Sequence, residues 1–593
     1  MKLQPSLGLA NGSALLAEGH RLAETVTVGS TRLLRREGVG SEAAYRRNGR
    51  DAGRIFTAMN IGMKDWPETV EAIRLIEERC LARGVRPPDR YQLIPERRMG
   101  LPYAIRRDAP GETGPVLWDA DDWSQLGTCA EWIQPEVGDN IIGGPASVEN
   151  TIADLGAGST YVGCLSQFSW RWPYFDDDVQ QMSEVVKACG ILAAKRDQGV
   201  LLDTYLEDGI AGTFEDYATL VGWAGVERWI ASMCGCPLSV SWGGLTADPI
   251  TKTVVTIAIE LGNADRVPAA FVQGDTISYT DDLDQNASIC AQDVQYMMLV
   301  QARYKTGACA LPVPLTEKQR VPTWDEIAQV QIMARRLELR ALQLAAAVDW
   351  PALEASARQL AAHAGQFVRN VRHGLGRLGV DISDPLQVML AVRQLGAAQI
   401  EQNWGVGEPS DAFAHGRQPF RPTELVAATI AQSARFEARS PVQRPHCIVV
   451  GSTDVHQMAK TVLVRALASS GHEVIDIGVN RDPEDFVDAL ITGSASAIVI
   501  TTHNGVALTF GHRTAQLCTK RGVTPVIAMG GVLNEDMAHS ASPVDVTAAL
   551  NDLGILTPPD IADLISLLAS THAPPSAPPA IPSPSIRHSY SGR

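Results

Sequence analysis

The chain has 593 residues, 45% apolar and 20% charged, the balance of a globular protein too long for a single core. A formal net charge of −16 without a long basic run argues against nucleic acid or an anionic membrane as partner and leaves a small-molecule substrate. Ten cysteines are scattered, only Cys234 and Cys236 lie close, and no apolar stretch approaches the roughly 18 residues of a membrane span. The pattern reads as a cytoplasmic protein with reduced thiols and neither signal peptide nor anchor, and a homodimer is compatible with it.

Residues 1–87 read as a helical region leading into the next unit, with apolar positions at helical spacing from Ala14 to Val28 and from Trp66 to Arg83. Between them Tyr45-Arg46-Arg47-Asn48-Gly49-Arg50 is either a solvated helix end or a guanidinium clamp for a carboxylate. From 88 to 325 short apolar runs alternate with helices. Strands are predicted at Asn140–Gly143, Ser159–Leu165, Gly199–Thr204, Pro237–Ser241, Ala269–Val272 and Ala308–Val313, with helices such as Asp177–Arg196 and Thr213–Cys234 between them. Repeated βα units predict a parallel sheet, and their number suits a closed (β/α)8 TIM-like barrel. Its active-site edge would carry Gly143-Gly144-Pro145, Ser166 to Tyr174, Tyr205 to Gly209, Trp242 to Leu245 and Gln273 to Thr276. These segments are rich in glycine, aromatic and hydrogen-bonding groups, which suits a polar ligand. Trp170, Trp172 and Trp242 read equally well as rim packing and as stacking surfaces.

Residues 326–404 read as a helical segment and 405–445 as a linker holding one helix, Thr423 to Ala438. Residues 446–570 form a second α/β unit, and 571–593 a disordered tail rich in Pro, Ser and Ala. In the second unit the apolar run Cys447-Ile448-Val449-Val450 leads into Gly451-Ser452-Thr453-Asp454-Val455-His456, and a helical pattern follows from Thr461. Asp454 and His456 are thus expected in a strand-to-helix loop, where a carboxylate can fix one imidazole nitrogen while the other binds a metal. Two further loops, Thr501-Thr502-His503-Asn504-Gly505 and Gly530-Gly531-Val532, follow strands in the same unit. Doubly wound topology would bring all three to one crevice, and the glycines allow close backbone approach to a ligand.

These residues resemble the cobalamin-binding domain of the Asp-x-His-x-x-Gly type, a Rossmann- or flavodoxin-like fold. Asp454, His456, Gly530 and Gly531 match its motifs, and Ile448 to Gly478 resembles the corresponding stretch throughout. Ala459 stands where that family has Gly, and Thr501 and His503 stand at its Ser and Leu. The resemblance implies His456 as the axial cobalt ligand, held by Asp454, with the displaced nucleotide tail entering a channel near Thr501 and Gly530. Gly505 belongs to the same loop set. A cofactor-free flavodoxin-like unit is the alternative.

The preceding unit, at Gly144-Pro145 and from Pro173-Tyr174 through Gly199, resembles the catalytic subunit of glutamate mutase (methylaspartate mutase). That implies an adenosylcobalamin-dependent carbon-skeleton isomerase in which a 5′-deoxyadenosyl radical abstracts a substrate hydrogen. Arg47 falls near one arginine of the family's clamp and Tyr174 at a tyrosine that contacts substrate. Arg171, Lys318 and Arg320 are further cations for the same space. Ile141 or Ile142 stands at a second family arginine, Cys164 at a glutamate and Pro312 near a lysine, so an amino-acid dicarboxylate is not assumed as substrate. Two other readings compete. One is a methylcobalamin-dependent methyltransferase, with 326–404 as helical cap. The other is a non-catalytic cobalamin sensor.

Overall fold

A computed structural model describes residues 11–210, 214–409, 417–437, 445–503, 505–535 and 543–570. The expected tail 571–593, Asn504 and the outer ends of two expected helices, Thr213 and Ala438, lie outside the described residues. Among the described residues no helix is long and apolar enough to cross a membrane.

Among the described residues the first unit has eight strands: β1 (Phe56–Ile61), β2 (Arg90–Leu93), β3 (Gln134–Val137), β4 (Tyr161–Val162), β5 (Leu201–Tyr205), β6 (Leu238–Ser241), β7 (Phe271–Gln273) and β8 (Cys309–Leu311). They form two parallel sheets, ordered β3-β2-β1-β8-β7 and β4-β5-β6. A parallel bridge from Trp242 to Val272 links the end of β6 to β7, and Ile142 N–H donates to Gly163 O at 3.2 Å beyond β3 and β4.

Strand β1 corrects the expectation of a helical N-terminal region. Its residues are buried on both faces, as in a parallel sheet covered by helices, so it lacks the alternation that marks a strand. The expected strand Asn140–Gly143 is a loop instead: Asn140 (φ 65°) and Gly143 (φ 102°) take left-handed backbone that a strand cannot contain.

Helices cover these sheets: α1 (Gly12–Ala23), α2 (Glu42–Asp51), α3 (Trp66–Ala82), α4 (Ser147–Ala157), α5 (Asp178–Lys195), α6 (Tyr217–Cys234), α7 (Pro249–Leu261) and α8 (Leu283–Tyr304). Many begin on an acid or hydroxyl that accepts a first-turn N–H, as Asp65 does for Glu68 and Asp216 for Thr219. Four more follow: α9 (Trp324–Leu344), α10 (Trp350–Arg377), α11 (Pro385–Leu395) and α12 (Ala397–Trp404). The first of them, α9, packs on α8 and α3 in the first unit's own helix layer. Helix α10 lies on α6 and α7, and α11 on α5.

At the strand starts, buried Arg46 donates to the carbonyls of Ala269 and Ala270 (3.0 and 2.6 Å), and buried Arg90 pairs with Glu42 at 3.0 Å. These guanidinium groups knit that end together; the strand-to-helix loops gather at the opposite end.

After α13 (Glu424–Glu437) comes the C-terminal unit, with β9 (Cys447–Ser452), β10 (Glu473–Gly478), β11 (Ala497–Thr502) and β12 (Val526–Gly531) in the parallel order β10-β9-β11-β12. Helices α14 (Gln457–Ser469), α15 (Pro483–Thr492), α16 (Ala507–Arg521) and α17 (Ile561–Ser570) cover it. One face packs Val449, Ile498 and Ile500 on Phe486 and Phe510; the other packs Ile448, Val450 and Val499 on Leu463, Leu467, Leu564 and Leu568. The strand order reverses between β9 and β11, and an open sheet of this kind offers its ligand crevice at that point.

Candidate functional site

The apolar run of β9 ends where hydroxyl and carboxylate residues begin, and this change turns the chain into the Ser452–His456 loop. Asp454 is buried and binds its neighbour twice, accepting the His456 ring Nδ1–H at 2.7 Å and the His456 backbone N–H at 2.9 Å. The hydroxyls of Ser452 and Thr453 add contacts of 3.2 Å each. Burial alone would raise the Asp454 carboxyl, but the His456 hydrogen bond and charge, with help from the Arg97 guanidinium, hold it at about 2. With Nδ1 carrying the proton shared with Asp454, Nε2 holds the imidazole lone pair.

The His456 side chain is 55% exposed, and its ring lies 4.3 Å from that of His503, centroid to centroid, at 37°. Burial and the neighbouring His456 push the His503 pKa down, favouring its neutral form.

Beside this pair an open cleft of about 210 Å³ runs along the ends of β9, β11 and β12. Ser452, Thr501 and Gly530 form one wall, Val499, Ala528 and Leu463 an apolar floor, and Pro558 to Leu564 the outer wall. The Thr501 hydroxyl donates to Gly451 O at 3.3 Å. The glycine pair divides two tasks. A Cβ on Gly530 would meet nothing within 4 Å, so the missing side chain keeps the cleft open, whereas Gly531 has φ 107° and a Cβ there would lie 2.2 Å from Thr502 O. Gly505 lines no part of the cleft. A Cβ on it would lie 2.5 Å from Thr113 Oγ1, so it marks close approach of the two units.

That approach continues along a polar seam. Arg171 pairs with Asp485, lies 3.8 Å from Asp482 and donates to Asp176 at 2.8 Å. The backbone N–H of Tyr174 donates to Asp482 at 3.1 Å, and Arg513 sits 5.6 Å over the Tyr174 ring. Both residues expected at the substrate thus hold the C-terminal unit to the first, and they stand together. Arg47 does not join them: it is exposed on α2, whose neighbouring Arg46 reaches the strand starts, the end opposite the seam.

Ile141, Ile142 and Cys164 are wholly buried, with the Cys164 sulfur accepting the Tyr205 N–H at 3.0 Å. Trp172 and Trp242 are buried as well, and Trp172 fills the space against Gly100 and Gly144, which is the packing role. Lys318 is exposed, and Arg320 binds Glu326 at 2.6 Å.

Sequence reasoning missed Arg97. It follows β2 and is gripped by Glu112, with one bond of 2.9 Å from Nε, while Nη1 donates to Asn480 Oδ1 at 2.9 Å across the seam. Its only sequence signal is position: a Glu-Arg-Arg run directly after an apolar strand end.

Residues 447–549 match the B12 binding domain family. A 2-hydroxyisobutanoyl-CoA mutase small subunit from Aquincola tertiaricarbonis is 30% identical over 129 residues, 20% of this chain and 88% of that subunit. A novel cobalamin-binding protein from Desulfitobacterium hafniense DCB-2, known from its crystal structure, is 16% identical over 34% of this chain and 89% of its own, with a TM-score of 0.18. Through its C-terminal unit, the chain belongs to the B12-binding domain family.

Proposed function

We propose that the chain is an adenosylcobalamin-dependent carbon-skeleton mutase in which His456 is the axial cobalt ligand, Asp454 orients it, and the cleft at Thr501 and Gly530 receives the nucleotide tail. The carrying observation is the Asp454–His456 pair at the mouth of that cleft: a carboxylate fixes one ring nitrogen and gives the other the lone pair a metal needs. The open space before Gly530 fits the same group, since a flat or slender ligand can lie against its backbone there. Bound cobalamin supplies a weak cobalt–carbon bond, and the chain's part is to hold the cofactor, exclude water and position the substrate.

The mutase half of the reading draws support from the related mutase small subunit and from the seam, at which the strand-end loops of the first unit meet the C-terminal unit. Closure of the eight strands into a (β/α)8 barrel is part of this reading. The Trp242–Val272 bridge and the Ile142–Gly163 hydrogen bond, at the two gaps between the sheets, support it. The substrate is a small molecule, and the exposed Arg47 lends no support to a clamp for a dicarboxylate. Helices α9 to α12 pack on the first unit, which weighs against a methyltransferase cap built from them.

The test is electron paramagnetic resonance of the full chain loaded with adenosylcobalamin and offered a panel of small acids and their thioesters. A substrate-dependent cob(II)alamin signal coupled to an organic radical is expected. Silence across the panel, together with methyl transfer from methylcobalamin, would overturn the mutase reading.

A further inference from the structure

We infer that Arg97, a residue of the first unit, is a positioning residue for the axial histidine of the C-terminal unit and acts through Asn480. The inference rests on the reading of His456 as cobalt ligand and adds a residue from outside the cobalamin-binding domain to its support.

The contacts form one line. The Arg97 guanidinium is oriented by Glu112 on its own side of the seam and donates from Nη1 to Asn480 Oδ1 at 2.9 Å. Asn480 in turn donates its backbone N–H to the Asp454 carbonyl at 3.1 Å, and Asp454 holds the His456 ring at 2.7 Å. Asn480 is buried with φ 54°, a left-handed conformation that Asn adopts more readily than most residues. Its side chain is thus bonded to the first unit and its N–H to the Asp454 loop, so this one residue links the two. The next residue repeats the attachment, with Arg481 N–H donating to Ser452 O at 3.0 Å. The loop carrying Asp454 and His456 thus hangs from the segment after β10, and Arg97 fastens that segment to the first unit.

Docking of the two units and orientation of the cobalt ligand are in this way one event. A C-terminal unit swung away from the first would keep the Asp454–His456 pair but lose the outer end of its support.

The experiment uses the full chain with Arg97→Gln, Asn480→Gly, the double variant and His456→Ala. Hydroxocobalamin affinity is measured by absorbance, and the histidine nitrogen superhyperfine pattern by paramagnetic resonance of bound cob(II)alamin. Arg97→Gln is expected to weaken binding about 10-fold, the low end of the cost of losing an outer partner of a metal ligand, and to blur the nitrogen pattern. Asn480→Gly keeps the left-handed backbone and its N–H, so it is expected to match Arg97→Gln, and the double variant to be no worse than either.

Wild-type affinity and pattern in Arg97→Gln, with both lost in His456→Ala, would overturn the inference alone. Additive losses in the double variant would also overturn it, because Arg97 would then act by another route. If His456→Ala itself changes neither readout, the ligand assignment falls and the inference with it.

Discussion

Asp454 Oδ1 accepts both the ring N–H and the backbone N–H of His456, at 2.7 and 2.9 Å. One oxygen therefore fixes the tautomer of the imidazole and the path of the chain that carries it. Asp454→Asn is expected to weaken cobalamin binding by roughly 10–100-fold, and His456→Ala to remove the axial nitrogen altogether. Titration of each variant with hydroxocobalamin, followed by absorbance, checks both. Unchanged affinity in the two variants would defeat the assignment.

The carboxyl of Asp454 lies at about 2 in the folded chain, below the roughly 3.9 of an unfolded aspartate. A depressed acid adds stability that is complete above the unfolded value and is lost as pH falls through the folded one. The loop is thus expected to keep its geometry down to about pH 4 and to loosen between there and about pH 2. Thermal unfolding of Asp454→Asn should show a flatter acid limb than the native chain.

The two neighbouring glycines predict opposite outcomes. Gly530→Val puts a side chain into open space, so the fold should keep its melting temperature while cobalamin binding is blocked. Gly531→Ala meets the Thr502 carbonyl at φ 107° and is expected to cost about 1–3 kcal/mol of stability. Calorimetry and binding measured on the same two variants separate the effects.

At the seam, Arg171 and Asp485 are each about one-fifth exposed, 21% and 22%. A pair so placed is screened by solvent, and a double-mutant cycle with Arg171→Ala and Asp485→Ala is expected to give a coupling of about 0.5–1 kcal/mol. If Arg171 served substrate rather than the seam, the cycle would show none.

Glu227 on α6 is fully buried, and burial pushes its carboxyl up to about 8, against about 4.3 in an unfolded chain. A raised acid carries its proton in the folded chain while the unfolded chain has shed it, so stability falls as pH rises from about 4 to about 8. Glu227→Gln should leave the melting temperature near its native value at pH 4 and raise it at pH 8. An equal shift at both pH values would contradict this.

The C-terminal unit was largely legible in the sequence because its signals are local. Cys447 to Val450 is an apolar run of strand length, the Asp454 and His456 pair follows at once, and Gly530-Gly531 closes another such run. Even so, the neighbour of Gly505 left no trace there: besides its φ of 72°, it lies against Thr113, nearly 400 positions earlier in the chain. The first unit hid more. Strands β1, β2 and β3 have no counterpart among the predicted strands: β1 lacks alternation, β2 buries Arg90 and Gln92, and β3 buries Gln134 and Glu136, so no apolar pattern announces them. Arg171 and Tyr174 were found as notable residues but not as a seam, because Asp482 and Asp485 lie some 300 residues away and pairing across that distance leaves no trace in spacing.

The outer wall of the cleft, Pro558 to Leu564, lies beyond residue 549, where the family match ends. Leu556 ties that wall to β12 by accepting the Met529 N–H at 2.8 Å and donating to Ile527 O at 2.9 Å, and His446 Nε2 lies 3.0 Å from Leu568 O at its far end. A fragment cut to the family limits would keep His456 and lose one side of the groove beside it. A piece from His446 to Ser570 contains every residue that lines the groove, and excision experiments should keep at least those borders.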